Sequence, residues 1–444
     1  MENKANNINL TTEFSLYDII NKAHNGEYKD LETAANDLLS VCRYVLTSSH
    51  MWIVKVYDSI NKVWTLQYTN KKKFEEQLKC VDLYRKTELK YYTLYDAFRK
   101  YISLFSVIGV SFYSMKDNVL NKFNGYKYND KQNNNKPHRQ QSNLEIIQFY
   151  LDFVKEVIAD NNDELNEYIL NWIAYIVQNP NKKTATCLVL KGAQGVGKNQ
   201  FTDAICEILS GYSASNVNDI NEIVGQFNSV LDGKKLIVCN EMKNVGESKY
   251  ANFDGLKSVI TDNVIRINEK GIPRYDAENV VNLILVSNND YPVKIEKTDR
   301  RYVVCNVNGK YRGDLKYWCE FSKKKDKMFY QHLTYYFLNR DITEFNSRDI
   351  PKTESKKIIQ EMGNSVFDDW VRYYYYVLVN EGIRANEIMD YKPRGLNNKA
   401  FRLSIDGKLR KTKRKVSEDG DKRAEFYVLR DEYKEFYKVE EEED

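Results

Sequence analysis

The strongest constraint on the fold comes from residues 184–209, which read TATCLVLKGAQGVGKNQFTDAICEIL. A continuous apolar run at residues 187–190 predicts a buried parallel strand, and residues 201–209 carry apolar side chains at helical spacing. A glycine-rich turn lies between them. The segment therefore predicts a strand, a glycine loop and a helix, an order that brings backbone N–H groups to a helix N-terminus, where they can bind phosphate.

The turn has the spacing G-x-x-x-x-G-K of a phosphate-binding loop, in which Lys198 would reach the terminal phosphates of a nucleotide. A glycine turn without a ligand is the alternative, and the flanking strand and helix favour the phosphate-binding loop. Asn199 stands where a serine or threonine usually binds magnesium, so either its amide oxygen takes that role or the metal is held more loosely. The predicted nucleotide-binding residues are Gly192, Ala193, Gln194, Gly195, Val196, Gly197, Lys198, Asn199 and Gln200.

A second predicted strand ends in two polar residues. Residues 236–239 are apolar, and Asn240 and Glu241 follow them. Because ligands of parallel sheets collect at the carboxyl ends of the strands, we expect Glu241 to polarise an attacking water and, with Asn240, to hold magnesium. A strand that merely ends in polar residues is the alternative. The predicted metal ligands are Asn199, Asn240 and Glu241, and residues 217–231, before this strand, predict a short helix.

Two further motifs follow along the chain. A third apolar run, residues 281–286, leads to Asn288, which we expect to hydrogen-bond the γ-phosphate and the attacking water. Arg300 and Arg301 directly precede the next apolar strand. They fit either a structural ion pair or an arginine finger that completes a neighbouring subunit's ATP site, and we favour the finger. The predicted catalytic residues are Lys198, Glu241, Asn288, Arg300 and Arg301.

Composition limits the class of protein. The 444 residues suffice for two or three domains, and the net charge of +4 is too small to indicate nucleic-acid binding by itself. No apolar stretch approaches the roughly 18 residues of a membrane span, and the first residues do not resemble a signal peptide. Seven cysteines and four histidines are scattered without zinc-ligand spacing. We therefore predict a cytoplasmic protein with reduced thiols and no zinc site or membrane partner, and leave a nuclear location open.

The order of the motifs resembles that of superfamily 3 helicases, and in particular the helicase portion of the primase–helicase replication proteins of phages, plasmids and large DNA viruses. The resemblance rests on residues 192–199, 240–241, 287–288 and 299–301 and extends over about residues 144–369. Phosphate-binding loops that read G-x-G-K-N and second strands that end in Asn-Glu are common in this family, so Asn199 and Asn240 match it.

The resemblance implies an α/β fold with a P-loop, AAA+-like ATPase core around a parallel sheet. It also implies ATP and Mg²⁺ as cofactors, a ring that is usually a hexamer, single-stranded and forked DNA as partners, and a separate primase or polymerase as a further one. We predict an N-terminal mixed α+β domain at 1–128 with no assigned role, a linker at 129–142, a helical collar at 143–183, the ATPase domain at 184–364, and a winged-helix-like DNA-binding domain with an acidic tail at 365–444.

Residues 263–275 occupy the position of the family's DNA-contacting hairpin, and their alternation fits a strand that runs into a turn. A solvated hairpin without DNA is the alternative. A second hairpin pattern is formed by Lys408–Val416 and 424–429. Its basic strand would either bind DNA or simply be a charged edge strand of a sheet. The predicted DNA-binding residues are Lys257, Arg266, Lys270, Arg274, Lys399, Arg402, Lys411, Lys413, Arg414 and Lys415.

The sequence thus predicts an ATP-dependent DNA helicase of viral, phage or mobile-element replication. Two alternatives remain open at this point. One is a translocase that packages DNA without separating its strands, and the other is an origin-binding initiator or regulator that uses nucleotide only as a switch.

Overall fold

The computed structural model describes most of the chain. The described residues are 10, 14–46, 51–59, 62–87, 90–116, 118–129, 143–240, 249–288, 292–293, 295, 298–362, 366–393, 401–402, 405–406, 409–415, 423–431 and 434. They form two compact units: the larger comprises the described parts of 1–243, 252–292 and 298–356, and the smaller those of 244–251, 293–297 and 357–444. Among the described residues, no helix is both long and apolar enough to cross a membrane.

The larger unit begins with a mixed helical and stranded segment. Its elements are α1 Leu16–His24, α2 Leu31–Leu39, β1 Cys42–Val45, β2 Met51–Asp58, β3 Val63–Thr69, α3 Lys71–Lys79, β4 Asp82–Thr87, β5 Lys90–Thr93, α4 Leu94–Lys100, α5 Ile102–Phe105, β6 Ser106–Val107, β7 Gly109–Ser111 and β8 Val119–Asn121. Strands β3, β2, β1 and β6 form one sheet in that order. Trp52 is fully buried on it, and the ring of Phe98 meets its indole edge-on with centroids 4.5 Å apart.

The remaining elements of the larger unit follow along the chain, and the last of them, Glu354–Met362, continues into the smaller unit. They are α6 Leu144–Phe153, a π-helical turn Val154–Ile158, α7 Asp163–Gln178, β9 Cys187–Lys191, α8 Lys198–Ile208, β10 Ser213–Val217, α9 Asn221–Val224, β11 Leu236–Asn240, α10 Lys249–Thr261, β12 Val264–Ile267, β13 Tyr275–Glu278, β14 Asn282–Ser287, β15 Tyr302–Asn306, α11 Leu315–Lys324, α12 Lys327–Asn339 and α13 Glu354–Met362.

A five-stranded parallel sheet organises this part of the chain, in the order β10-β11-β14-β9-β15. The parallel sheet predicted from the apolar runs is confirmed. Strand β9 lies between β14 and β15, and its first four residues are fully buried. Since all five strands are parallel, their carboxyl ends meet at one edge, and the glycine loop, Asn240 and Asn288 lie there together.

The predicted short helix at 217–231 is wrong over most of its length. Strand β10 ends at Val217, α9 covers only four residues, and a single 3₁₀ turn, Ser229–Leu231, follows. Gly225 ends α9 in an extended conformation, and a Cβ there would collide with the backbone of Asn221. The segment therefore consists of short separate pieces rather than one helix.

The helices before the sheet supply much of its core. Trp172 on α7 is fully buried, and its Nε1 donates a hydrogen bond to the hydroxyl of Thr186 at 3.0 Å, just before β9. The hydroxyl of buried Tyr150 on α6 donates to the carbonyl of Phe201 on α8 at 3.1 Å. Each of these buried polar groups therefore has a hydrogen-bond partner. The two hydrogen bonds fix the positions of α6 and α7 relative to the sheet.

The smaller unit contains α14 Val366–Tyr373, a π-helical segment Val377–Glu381, and β16 Ile383–Arg384, β17 Leu409–Lys415 and β18 Arg423–Leu429. Its strands form an antiparallel sheet in the order β16-β18-β17. Its core includes the buried aromatic residues Phe367, Trp370, Tyr375 and Phe401. The basic hairpin pattern corresponds to β17 and β18, whereas the winged-helix assignment stays a prediction.

Candidate nucleotide-binding site

The glycine loop needs glycine at specific positions. Gly195 and Gly197 have φ angles of +82° and +99°, in the left-handed region that disfavours side chains. Gly197 is also the N-cap of α8, which carries no side-chain cap hydrogen bond. At Gly192 a Cβ would lie 2.9 Å from the carbonyl oxygen of Val307, so only glycine allows this approach. The backbone amides at the start of α8 are thus left available to an anion.

Lys198 is the first residue of α8, and only 7% of it is exposed. Its Nζ donates to the carbonyls of Gly192 at 2.6 Å and Ala193 at 2.8 Å, and to Oδ1 of Asn288 at 2.8 Å. Lys198 follows β9 and Asn288 follows the neighbouring β14. The structure therefore brings together two of the residues that the sequence predicts to act on phosphate.

Asn240, at the tip of β11, offers an oxygen toward the same edge. Its Nδ2 donates to Oδ1 of Asn216 at 2.9 Å, while its own Oδ1 is buried and has no hydrogen-bond partner among the described residues. Mg²⁺ prefers hard oxygen ligands, amide oxygens included. An orphaned amide oxygen here, with exposed Asn199 on the same cleft, fits a magnesium ion held with a nucleotide. Glu241 lies outside the described residues.

These side chains line a cleft of about 470 Å³. Its lining comprises Gln194, Gly195, Val196, Gly197, Lys198, Asn199, Gln200, Asn216, Asn218, Asn240, Val286, Asn288 and Trp318. Gln200 accepts a hydrogen bond from Lys325, which directly follows α11, and burial lowers the pKa of Lys325. Amide side chains and the Lys198 ammonium group make up much of the lining, and the indole of Trp318 is the large aromatic ring among its walls.

Trp318 is a residue of the cleft that no sequence motif indicates. It lies on α11, its ring meets Phe153 edge-on with centroids 5.9 Å apart, and a side chain at Gly197 would collide with it. Its Nε1 donates to the carbonyl of Tyr311 at 2.9 Å, which fixes the plane of the indole. Nothing in the local sequence separates this tryptophan from a core residue, because its role depends on contact with a loop over a hundred residues earlier.

The two predicted finger arginines differ in their surroundings. The guanidinium of Arg301 pairs with Asp299 at 2.7 Å, and the Asp299 side chain is 1% exposed. Lys356 Nζ also donates to the Asp299 carbonyl, at 2.8 Å. Arg300 is exposed. The structural ion pair is therefore the alternative that applies to Arg301, while the exposed Arg300 side chain is available to another molecule.

Both arginines lie far from the glycine loop of their own chain. Tyr302 pairs with Cys187 at the amino end of β9, whereas the loop begins beyond Lys191 at its carboxyl end. Five residues of strand separate the two ends by roughly 16 Å. This exceeds the reach of an arginine side chain.

The predicted DNA hairpin is present as antiparallel β12 and β13, in which Ile267 pairs with Tyr275. Lys270 and Arg274 are exposed in the turn between them. Arg266 lies 3.9 Å from Asp276 across the strands, and both side chains are more than two-thirds exposed. Lys257 is half-buried on the preceding helix α10 rather than on the hairpin.

The basic residues of the smaller unit are only partly available. Lys411 lies 3.5 Å from Glu425, and Arg414 donates to the carbonyls of Asn380 and Glu381 at 2.8 and 2.6 Å. These contacts support the sheet-edge alternative for the two residues. Arg402 and Lys413 are exposed, and Lys399 and the side chain of Lys415 lie outside the described residues.

Comparisons with known proteins bear on the same region. Residues 190–301 match a family described as a family of unknown function (DUF5906). Over 198 residues, 44% of this chain, the sequence is 29% identical to the DNA primase-polymerase of Nitratiruptor phage NrS-1, and the match spans 27% of that protein. Two solved structures of the NrS-1 C-terminal region cover 90% of this chain and are matched over their full length, with 17% identity and TM-scores of 0.55 and 0.53.

The chain has the fold of the NrS-1 C-terminal region. The predicted resemblance to a phage replication protein is confirmed, whereas the superfamily 3 helicase assignment stays a prediction. The chain spans about a quarter of the phage primase-polymerase. The activities of the whole phage protein can therefore be attributed to this chain only as a proposal.

Proposed function

We propose that this chain is the ATP-driven DNA helicase of a viral, phage or mobile-element replication system, acting as a ring on single-stranded DNA. The contact between Lys198 and Asn288 at the carboxyl edge of the sheet carries the proposal, because it joins the phosphate-binding lysine to a polar strand tip. The fold shared with the C-terminal region of a phage primase-polymerase supports a role in replication.

In the proposed mechanism, the amides of the glycine loop bind the phosphates and Lys198 neutralises their charge. Asn240, Asn199 and Glu241 would hold Mg²⁺, which would supply positive charge against the negative charge of the phosphates. Glu241, directly after Asn240 in the sequence, would orient and polarise the attacking water. Asn288 would hydrogen-bond the γ-phosphate in place of its present bond to Lys198.

Arg300 completes the site of a neighbouring subunit. Its exposure and its position at the opposite edge of the sheet support action in trans, whereas Arg301 holds the strand through Asp299. A guanidinium from the next subunit would stabilise the charge that develops during phosphoryl transfer. This assigns the finger to Arg300 and requires a closed assembly, of which a hexameric ring is the family's usual form.

The decisive experiment measures ATP hydrolysis by the purified chain with and without single-stranded DNA, together with strand displacement on a forked duplex. We expect DNA-stimulated hydrolysis and displacement. Hydrolysis with translocation but no displacement would favour the packaging translocase. Sequence-specific DNA binding with negligible hydrolysis, under conditions that allow assembly, would contradict the proposal and favour the initiator.

Trp318 is proposed to stack on the adenine base. Trp318→Ala is expected to weaken ATP binding by about tenfold or more, since stacking of a base on an aromatic ring contributes about 1–3 kcal/mol. Inorganic tripolyphosphate, which lacks a base, serves as the control ligand, and both affinities are measured by calorimetry. Equal weakening of ATP and tripolyphosphate would show that the indole only supports Gly197.

Lys270 is proposed to contact DNA phosphate at the hairpin tip. In Lys270→Ala, the ratio of ATPase rates with and without single-stranded DNA is expected to fall toward one, because the contact that couples DNA to turnover is lost. The rates are measured over a range of DNA concentrations to separate weaker binding from weaker coupling. An unchanged ratio at every concentration would refute the hairpin assignment.

A further inference from the structure

The tip of the β12–β13 hairpin contacts the start of helix α3 in the N-terminal segment. Asn70, the N-cap of α3, makes both connections with one side chain. Its Oδ1 accepts a hydrogen bond from the backbone of Lys73 at 3.1 Å, and its Nδ2 donates to the carbonyl of Gly271 at 3.4 Å. The first turn of α3 therefore lies beside the turn that carries Lys270.

Two further contacts hold the hairpin against the same segment. The rings of Tyr68 and Tyr275 lie 4.4 Å apart between centroids. At the other end of β13, the Glu278 carboxylate accepts hydrogen bonds from the hydroxyl of Ser111 at 2.7 Å and the backbone of Phe112 at 3.0 Å. The N-terminal segment thus contacts the hairpin at its tip, at the start of β13 and at its base, and the position of α3 beside the tip is defined by the fold.

The first turn of α3 is unusually basic. Lys71, Lys72 and Lys73 open the helix, and the turn contains no acidic residue. Cations at a helix N-terminus are repelled by the positive end of the helix dipole and therefore destabilise the helix. The placement is therefore unfavourable for the helix itself, and an anion bound nearby would offset the cost.

The three lysines do not have the same surroundings. Lys71 Nζ donates to the hydroxyl of Tyr44 at 2.8 Å, which raises the pKa of Lys71 and fixes its side chain. Lys72 and Lys73 are exposed, and their side chains have no hydrogen-bond or ion-pair partner among the described residues. The same is true of Lys270 and Arg274 across the Asn70 contact. The two elements that meet at Asn70 and Gly271 thus carry four exposed cations for which the described part of the chain provides no partner.

We propose that Lys72, Lys73, Lys270 and Arg274 form one phosphate-binding strip for the backbone of a single nucleic-acid strand. The N-terminal segment then contributes half of the charge that binds the strand, and it moves with the hairpin because three contacts join them. The inference rests on the proposed DNA contact of the hairpin and gives the N-terminal segment a role in it.

The test uses the full chain and measures affinity for a fluorescent oligo-dT as a function of salt concentration. Each phosphate contact on a single strand contributes about 0.7 to the slope of log affinity against log salt. The double variant Lys72→Ala/Lys73→Ala is therefore expected to bind more weakly and to lower the slope by about 1.4. The matched control, Lys29→Ala/Lys100→Ala, removes the same charge from other elements of the segment and is expected to leave the slope unchanged.

The variant Lys72→Arg/Lys73→Arg keeps both charges and should retain the wild-type slope. The melting temperatures of both double variants are also measured, because a lower melting temperature of the alanine variant would reveal misfolding of α3. An unchanged slope in the double alanine variant would overturn the strip. If Lys270→Ala lowers the slope in that case, the hairpin contact stands and only the contribution of α3 is wrong. If the control lowers the slope as much as the double alanine variant, the effect is one of net charge and the strip is likewise overturned.

Discussion

Lys198→Ala is expected to reduce ATP hydrolysis by at least two to three orders of magnitude, a loss of about 3–4 kcal/mol of transition-state stabilisation. The reason is geometric. Lys198 Nζ lies within 2.8 Å of Asn288 Oδ1 and of two loop carbonyls, so it places a positive charge at the position that the terminal phosphates would occupy. Phosphate release at saturating ATP is the measurement.

The control for this prediction is Lys316→Ala, which removes an exposed lysine from α11 near the same cleft. It is expected to retain hydrolysis close to that of the wild type. A Lys198→Ala protein with more than a tenth of the wild-type rate would show that the loop amides and the metal suffice, and that the lysine has another role.

Arg300→Ala is expected to lower turnover by about 10³-fold, the lower end of the effect of an arginine finger, while nucleotide binding persists. Because the finger would act on the next subunit, each defective protein retains the part that the other lacks. Mixing Arg300→Ala with Lys198→Ala subunits should therefore restore part of the activity. Hydrolysis is measured across mixing ratios under conditions that allow subunits to exchange.

Arg301→Ala distinguishes the finger from its neighbour. Arg301 pairs with the buried carboxylate of Asp299, so its removal leaves that charge without its main partner and is expected to lower the melting temperature. Full activity in Arg300→Ala, or no recovery on mixing, would exclude action in trans by Arg300. Loss of activity only in Arg301→Ala, without loss of stability, would transfer the role to that residue.

The sequence predicts the centre of the sheet well for a physical reason. Strands β9, β11 and β14 are buried on both faces, so they are continuous apolar runs that end in polar residues at the ligand edge. The glycine loop is predicted equally well, because backbone torsions or close approaches require glycine at positions 192, 195 and 197.

Features that depend on distant contacts could not be predicted in the same way. Strand β10, SASNV, is an edge strand with two exposed residues, and its pairing with β11 rather than its own pattern makes it a strand. Trp318 lines the cleft only because α11 returns to Gly197. Asn70 and Gly271 are 201 residues apart in sequence, and neither local pattern indicates that they meet.

Strand β15 connects Arg300 to the glycine loop. Arg300 lies two residues before the amino end of this strand, and the residues from Tyr302 to Cys305 are buried. Just past the carboxyl end, the carbonyl of Val307 packs against Gly192. In the proposed ring, a shift of this loop on nucleotide binding would displace a rigid, buried strand and with it the arginine that serves the neighbouring subunit. Occupancy of one site would then change turnover at the next, so the sites of the ring would be coupled rather than independent.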